Sequence, residues 1–188
     1  PPWEEPDTTH LTVVDASGNI AMITHSLGQH AGVITPGLGF LYNNGMNRFD
    51  PRPGHPSSLA PRKARLHLMS PTLLLKDGLP AIAIGAPGGN AIVSALVQTV
   101  TNLLDFGMSA VEAVYAPRIH AEGSEIWCEA RTRSDTCEAL KQRGYEVIQD
   151  AASFARHRAF AQLIVFGENG ELDGASDPRG EAGVVYAR

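Results

Sequence analysis

The stretch 70–85 most constrains the fold. Ser70-Pro71-Thr72-Leu73-Leu74-Leu75 is an apolar run, Lys76-Asp77-Gly78 is a turn, and Ala81-Ile82-Ala83-Ile84-Gly85 is a second apolar run. Two such runs joined through a glycine turn predict a β-hairpin. Polar residues hardly interrupt it, so it is expected to be covered on both faces and to lie at the centre.

Two more hairpins flank it in the sequence. Residues 8–15 alternate loosely, Asp15-Ala16-Ser17-Gly18-Asn19 is a turn cluster, and Ile20-Ala21-Met22-Ile23-Thr24-His25 follows, so 8–26 pairs with itself. Near the end, 160–166 and 171–175 pair around Glu168-Asn169-Gly170. Residues 28–60 are rich in Gly, Pro and Asn, with Gly39-Phe40-Leu41-Tyr42 as one short apolar piece. A loop this long in a compact domain is functional or covered by a partner.

Helices cluster in the middle. Pro87-Gly88-Gly89 breaks the central hairpin, and Asn90 is expected to cap a helix carrying Ile92, Leu96, Val100, Leu103 and Leu104 at helical spacing. Gly107 ends it. Ser109 and Glu112 form a capping box for a short second helix that stops before Pro117. A strand is expected over 125–130, a helix over 135–143 capped by Ser134 and closed at Gly144, and a strand over 145–149. The order ββ, ββ, αα, β, α, β, ββ predicts a layered α+β fold with a largely antiparallel sheet.

At 188 residues, 43% hydrophobic and 19% charged, the chain can build one domain with a real core. Net charge is −5 with no basic run, so no nucleic-acid partner is expected. No apolar run reaches membrane-spanning length, and no membrane partner is expected. Cys128 and Cys137 lack metal-ligand spacing and read as two isolated thiols, although the pair also allows a disulfide. They leave the compartment open. Residues 1–7 read as the middle of something longer, so the chain is expected to be a fragment or a processed subunit.

Asp7-Thr8-Thr9-His10 is the stretch with chemical interest. On residue chemistry alone Thr8, Thr9 and Thr12 are β-branched residues opening a strand. A Thr hydroxyl becomes a nucleophile only beside a base. Its own α-amine, titrating near pH ~8, would serve if the peptide bond before it were cut.

Four ordered pieces carry a family resemblance. They are Thr8-Thr9-His10 running into Val13-Val14-Asp15 and Gly18-Asn19; Leu41-Tyr42-Asn43-Asn44-Gly45-Met46; Met69-Ser70-Pro71-Thr72 through Lys76-Asp77-Gly78 to Pro87-Gly88-Gly89; and Gly174-Ala175-Ser176-Asp177-Pro178-Arg179. Asp105-Phe106-Gly107-Met108 and Ala116-Pro117-Arg118-Ile119-His120 fit between them. Together they resemble the small catalytic subunit of γ-glutamyltransferases, over nearly the whole chain.

The resemblance implies an N-terminal-nucleophile hydrolase with an αββα sandwich, part supplied by this chain and the rest by a large upstream subunit of the same precursor. It implies autocatalytic cleavage between Asp7 and Thr8, leaving 1–7 as the end of the upstream segment and 8–188 as the small subunit. Thr8 would be the nucleophile, forming an acyl-Thr that water or an amine resolves. No metal and no cofactor are implied. Gly88 and Gly89 would give the oxyanion-hole N–H groups, for which a Gly-Gly strand-to-helix turn is chemically suited. Ser26 stands where the family has a hydroxyl near the nucleophile, and Asn44, with Asn43, at the pocket mouth. His10 is expected to be structural, Cys128 to be core, and His25, His30 and His120 to bind no metal.

The departures concern substrate. The family holds the γ-glutamyl α-ammonium with an Asn, a Gln and an Asp where this chain has Gly28, Gly45 and Arg48, and the α-carboxylate with a Ser-Ser pair where it has His67-Leu68. Arg48 in the pocket would repel an ammonium and pair with a carboxylate. His67 can donate a hydrogen bond or carry charge. Three readings follow: an amide hydrolase or acyltransferase whose acyl group is not γ-glutamyl but acidic or apolar; a true γ-glutamyl hydrolase or transpeptidase with a rearranged clamp; and an uncut, non-catalytic relative.

Overall fold

The central hairpin is where the sequence predicts it, as β5 (Thr72–Lys76) and β6 (Leu79–Gly85). The structure, a computed structural model, describes residues 8–155 and 159–187. The hairpin joins β10 (Gln162–Phe166) and β11 (Leu172–Ser176) in an antiparallel sheet of order β11-β10-β6-β5. In β6 all of Ile82, Ala83, Ile84 and Gly85 are buried, as a strand covered on both faces requires.

The two faces of β6 do different work, because side chains alternate across a strand. Ile82 and Ile84 pack into a core with Ile92 and Leu96 of α1 (Ile92–Leu104), Val114 of α2 (Ala110–Tyr115) and Leu163 of β10. Ala83 and Gly85 point the other way. Over them lies the first hairpin, β1 (Thr8–Val14) and β2 (Ile20–Ser26). A Cβ on Gly85 would stand 2.1 Å from His10 Cε1, so the missing side chain makes the seat for that imidazole. The chain thus stacks helices, a four-stranded sheet and a hairpin in three layers.

The outer face of β1–β2 is apolar and open. Leu11 and Ile23 are 55% and 60% exposed, while His10 on the inner face is buried. Alternation of this sign leaves a surface that needs another layer.

Four local predictions need correction. Asn90 does not cap α1. A 3-10 turn over Gly89–Ala91 precedes the helix, Ala91 is its N-cap, and no side chain caps it. The left-handed glycines Gly88 and Gly89 bend the chain early enough to place Asn90 inside the turn. Leu104 ends α1 on the solvent side, 59% exposed, because its rotation misses the core stripe. Ser134 opens α3 (Ser134–Gln142) rather than capping it; extended Arg133 is the cap residue and its guanidinium pairs with Asp135. Finally, the loop 28–60 contains a small pair, β3 (His30–Ile34) with β4 (Leu41–Asn43), and a 3-10 turn over Gly45–Arg48.

Other signals hold. The Ser109–Glu112 capping box is present in both directions, and Gly107, Gly144 and Gly170 adopt the left-handed backbone their turns need. A separate three-stranded sheet joins β7 (Ile119–Glu122), which the sequence reading omitted, to β8 (Glu125–Cys128) and β9 (Glu146–Gln149). The β8–β9 pair is parallel, with α3 as the crossover. Cys128 and Cys137 are buried in its core with Ile126 and are not joined by a disulfide.

Candidate active site

β1 begins at Thr8 and β2 ends at Ser26, and antiparallel register sets the two opposite each other. The Thr8 hydroxyl donates to Ser26 Oγ at 2.8 Å. Ser26 Oγ also accepts the Gly28 N–H at 2.9 Å, so its position is fixed from the following turn. Gly28 makes that turn with φ +68°.

His10 holds the strand beneath. Its Nδ1 is 2.8 Å from Thr24 Oγ1 and its Nε2 2.9 Å from Thr12 Oγ1. A neutral ring donates from one nitrogen and accepts at the other, which two hydroxyls satisfy. Burial accordingly lowers the His10 pKa below its ordinary value. Gln162 and Gly85, paired across β10 and β6, form the floor of this region.

The turn after β6 runs through Pro87, Gly88 and Gly89. Gly88 has φ +135°, and a Cβ there would lie 2.2 Å from Ala159 Cα. Gly89 has φ +59° with open space where its Cβ would be. Phe160 N–H donates to Pro87 O at 2.9 Å, tying the turn to the strand beside it.

Thr8, Ser26, Gly28, Gly88 and Gly89 line one cavity of about 930 Å³, sized for a small molecule. Arg48, His67 and Leu68 line it as well. Asn44 and Gly45 do not. Asn44 precedes the 3-10 turn, its N–H donating to Leu27 O at 3.0 Å. Gly45 is buried behind it.

A positive end emerges that sequence reading saw only in part. Arg65 lines the cavity too. A Cβ on Gly45 would fall 2.9 Å from Arg65 Nε, so Gly45 leaves room for that guanidinium. His67 feels both arginines: desolvation, then Arg65, then Arg48 lower its pKa. Met69 N–H donates to His67 Nδ1 at 3.1 Å, which leaves Nε2 as the donor of the neutral ring. Arg65 sits in an irregular segment without periodicity, and nothing in its local sequence marks its place in the cavity.

The far wall comes from β7 and β8. Asn90, His120, Glu122, Glu125 and Trp127 line it. Arg48 Nη1 donates to Asn90 Oδ1 at 3.1 Å, and Asn90 Nδ2 donates to Glu122 Oε1 at 2.7 Å. Among the described residues, no group of three His, Cys, Asp or Glu is placed to hold a metal ion.

Comparison with known proteins decides the family. The family model described as Gamma-glutamyltranspeptidase matches residues 2–187. The chain belongs to the γ-glutamyltranspeptidase family. It is 35% identical over 192 residues to the glutathione hydrolase proenzyme of Escherichia coli (strain K12), covering 95% of this chain and 32% of that protein. It is 38% identical over 175 residues to the Acylase ACY 1 proenzyme of Pseudomonas sp. (strain V22), covering 92% and 31%. The γ-glutamyltranspeptidase from Pseudomonas nitroreducens complexed with L-DON superposes with a TM-score of 0.84 at 29% identity, over 96% of this chain and all of that one. The chain therefore spans about a third of the length of the curated relatives it matches. The family includes both glutathione hydrolases and acylases, and its fold is the layered α+β arrangement seen here.

Behind the Gly88 turn lies a buried ion network. Arg118, Glu129, Asp177 and Arg179 are each 2% exposed or less. Arg118 pairs with Asp177 at 2.5 Å, and Arg179 grips both Asp177 and Glu129. Burial pulls Arg118 down to about 10, against the pull of Asp177, so it stays charged at neutral pH. Arg118 Nη1 also donates to Ala159 O at 3.2 Å, the residue on which Gly88 rests.

Proposed function

We propose that this chain is the catalytic part of an amide hydrolase or acyltransferase with Thr8 as nucleophile, acting on amides of an anionic acyl group that lacks the γ-glutamyl ammonium. The observation that carries it is the convergence of Arg48, Arg65 and His67 on the cavity that holds Thr8. A carboxylate meets charge-assisted donors there. An ammonium in the same place meets like charge; the acidic side chains lining the cavity are Glu122 and Glu125 on the β7–β8 wall and Glu181 beyond β11, and Glu122 already accepts from Asn90.

The chemistry proceeds from residues on the page. Cleavage of the Asp7–Thr8 bond frees the Thr8 amine; residues 1–7 lie outside the described residues, and the relatives' description as proenzymes supports the step. The amine takes the proton of the Thr8 hydroxyl as Oγ1 bonds to the amide carbon. Gly88 and Gly89 N–H groups receive the oxyanion. The C–N bond then breaks, the leaving amine takes the proton from the Thr8 ammonium, and an acyl-Thr ester remains. Water or an amine attacks that ester and returns the hydroxyl. Ser26 orients Oγ1 throughout. The large remainder of the precursor, about two thirds by the relatives' length, completes the pocket as a partner subunit.

The deciding experiment compares glutaryl and γ-glutamyl anilides, which differ by one amino group, using full-length protein after incubation. We expect glutaryl to be preferred at least about tenfold in kcat/KM, or roughly 1.4 kcal/mol. A γ-glutamyl preference of that size would restore the γ-glutamyl reading. Protein that stays uncut and inert would restore the non-catalytic one.

A further inference from the structure

We infer that Asn90 is a positioning residue that aims Arg48 at the carboxylate of the acyl group, and that Glu122 fixes which way the Asn90 amide faces. The inference rests on the anionic-acyl reading above. Asn90 looks like a helix cap in the sequence, but its side chain caps nothing. Its two hydrogen bonds go instead to residues 42 positions before it and 32 after it. An arginine can only donate and a carboxylate only accept. Between Arg48 and Glu122, therefore, the amide has one orientation that satisfies both: oxygen to Arg48, nitrogen to Glu122. His120 stands beside Glu122, its Nδ1 2.9 Å from Ser94 Oγ on α1 and its Nε2 3.5 Å from Glu122 Oε2 without a hydrogen bond.

The consequence is a bounded reach. Asn90 follows Gly89 directly, and Arg48 Nη1 is 3.1 Å from its side-chain oxygen. Bond lengths then keep that guanidinium nitrogen within ~11 Å of the Gly89 N–H. With a hydrogen bond of ~3 Å at each end, an acyl group whose carbonyl and carboxylate oxygens stand ~5 Å apart spans the gap even at that limit. Arg48 is otherwise an exposed side chain on a loop turn. Anchored in advance, it has already lost the rotamer freedom it would lose on meeting substrate. The anchor therefore belongs to binding more than to the chemical step.

The test uses full-length processed protein and two anilides of equal chain length, glutaryl and pentanoyl, which differ by carboxylate against methyl. The readout is the ratio of their KM values. Asn90→Leu should lower the glutaryl preference in KM about tenfold, while the ratio of the two kcat values moves less than about threefold. Glu122→Ala frees the amide to flip and should lose about threefold of the preference, and Glu122→Gln, which keeps an acceptor, should hold it within about twofold. An Asn90→Leu enzyme with the wild-type KM ratio overturns the inference and leaves the parent reading standing. So does a change confined to kcat, which would place Asn90 at the oxyanion turn. A wild-type enzyme without a glutaryl preference overturns the parent reading and this one with it.

Discussion

Gly85 and Gly88 illustrate how one missing methyl can set the packing beneath a cavity. Gly85 has an ordinary strand backbone and is a glycine solely because His10 occupies its Cβ position. Gly85→Ala should push the imidazole off Thr12 and Thr24, lowering stability by about 1–3 kcal/mol as overpacking does. A thermal melt of the full-length protein reads this directly, and an unchanged Tm would refute it. Gly88 is glycine for two reasons, its φ and the backbone of Ala159. Gly89 has room for a side chain but not a favourable φ. Gly89→Val should displace an N–H donor and lower kcat by about a hundredfold or more, with a smaller change in KM. If kcat stays within a few-fold, the oxyanion assignment is wrong. The two lowered histidines give a pH expectation. His10 and His67 are both held neutral by the fold, so their contribution to stability is present above about pH 6.5 and is lost as pH falls through their lowered values. A bound carboxylate favours protonated His67. KM for a glutaryl amide should therefore fall between pH 7.5 and 5.5 while KM for pentanoyl stays level; parallel profiles would remove His67 from acyl recognition.

At the scale of elements, hairpins announce themselves in sequence and charge networks do not. Residues 8–26, 70–85 and 160–176 pair as alternation and turn glycines predict, because register within a hairpin is set locally. Arg118, Glu129, Asp177 and Arg179 carry no periodic signal. They meet only because α2, β8 and β11 end at one place, where Arg179 also donates to the carbonyls of Val114 and Ala116. Arg179→Met would leave Glu129 buried without its main partner. We expect a loss of about 3–5 kcal/mol in urea unfolding. A loss under about 1 kcal/mol would mean that Arg131, 3.4 Å from Glu129, takes over.

For the molecule as a whole, the three layers of this chain leave an apolar face on β1–β2 and an apolar run on the 28–60 segment, where Val33, Ile34, Phe40 and Tyr42 are exposed. The relatives are about three times longer, and their additional chain is expected to cover these surfaces. Expressed alone, 8–188 should bind a hydrophobic dye and self-associate in size-exclusion chromatography, whereas the full-length protein should do neither. In the full-length protein, mass spectrometry should find cleavage before Thr8, and Thr8→Ala should abolish it. Only intact wild-type mass after long incubation would exclude the nucleophile assignment.

The sequence by itself determined the hairpins, the main helices, the family and the order of its motifs, since each rests on residues adjacent in the chain or on short-range periodicity. Thr8 and Ser26 could be set opposite each other from hairpin register alone. Other placements needed the tertiary structure. Asn90 was drawn from an expected cap into a bridge between Arg48 and Glu122, because two left-handed glycines turned the chain first. Arg65 entered the cavity because Gly45 yields the volume. Four buried charges met through three separate elements. Each depends on what stands next to a residue in space, and a side chain's partner across tens of residues leaves no trace in its local spacing.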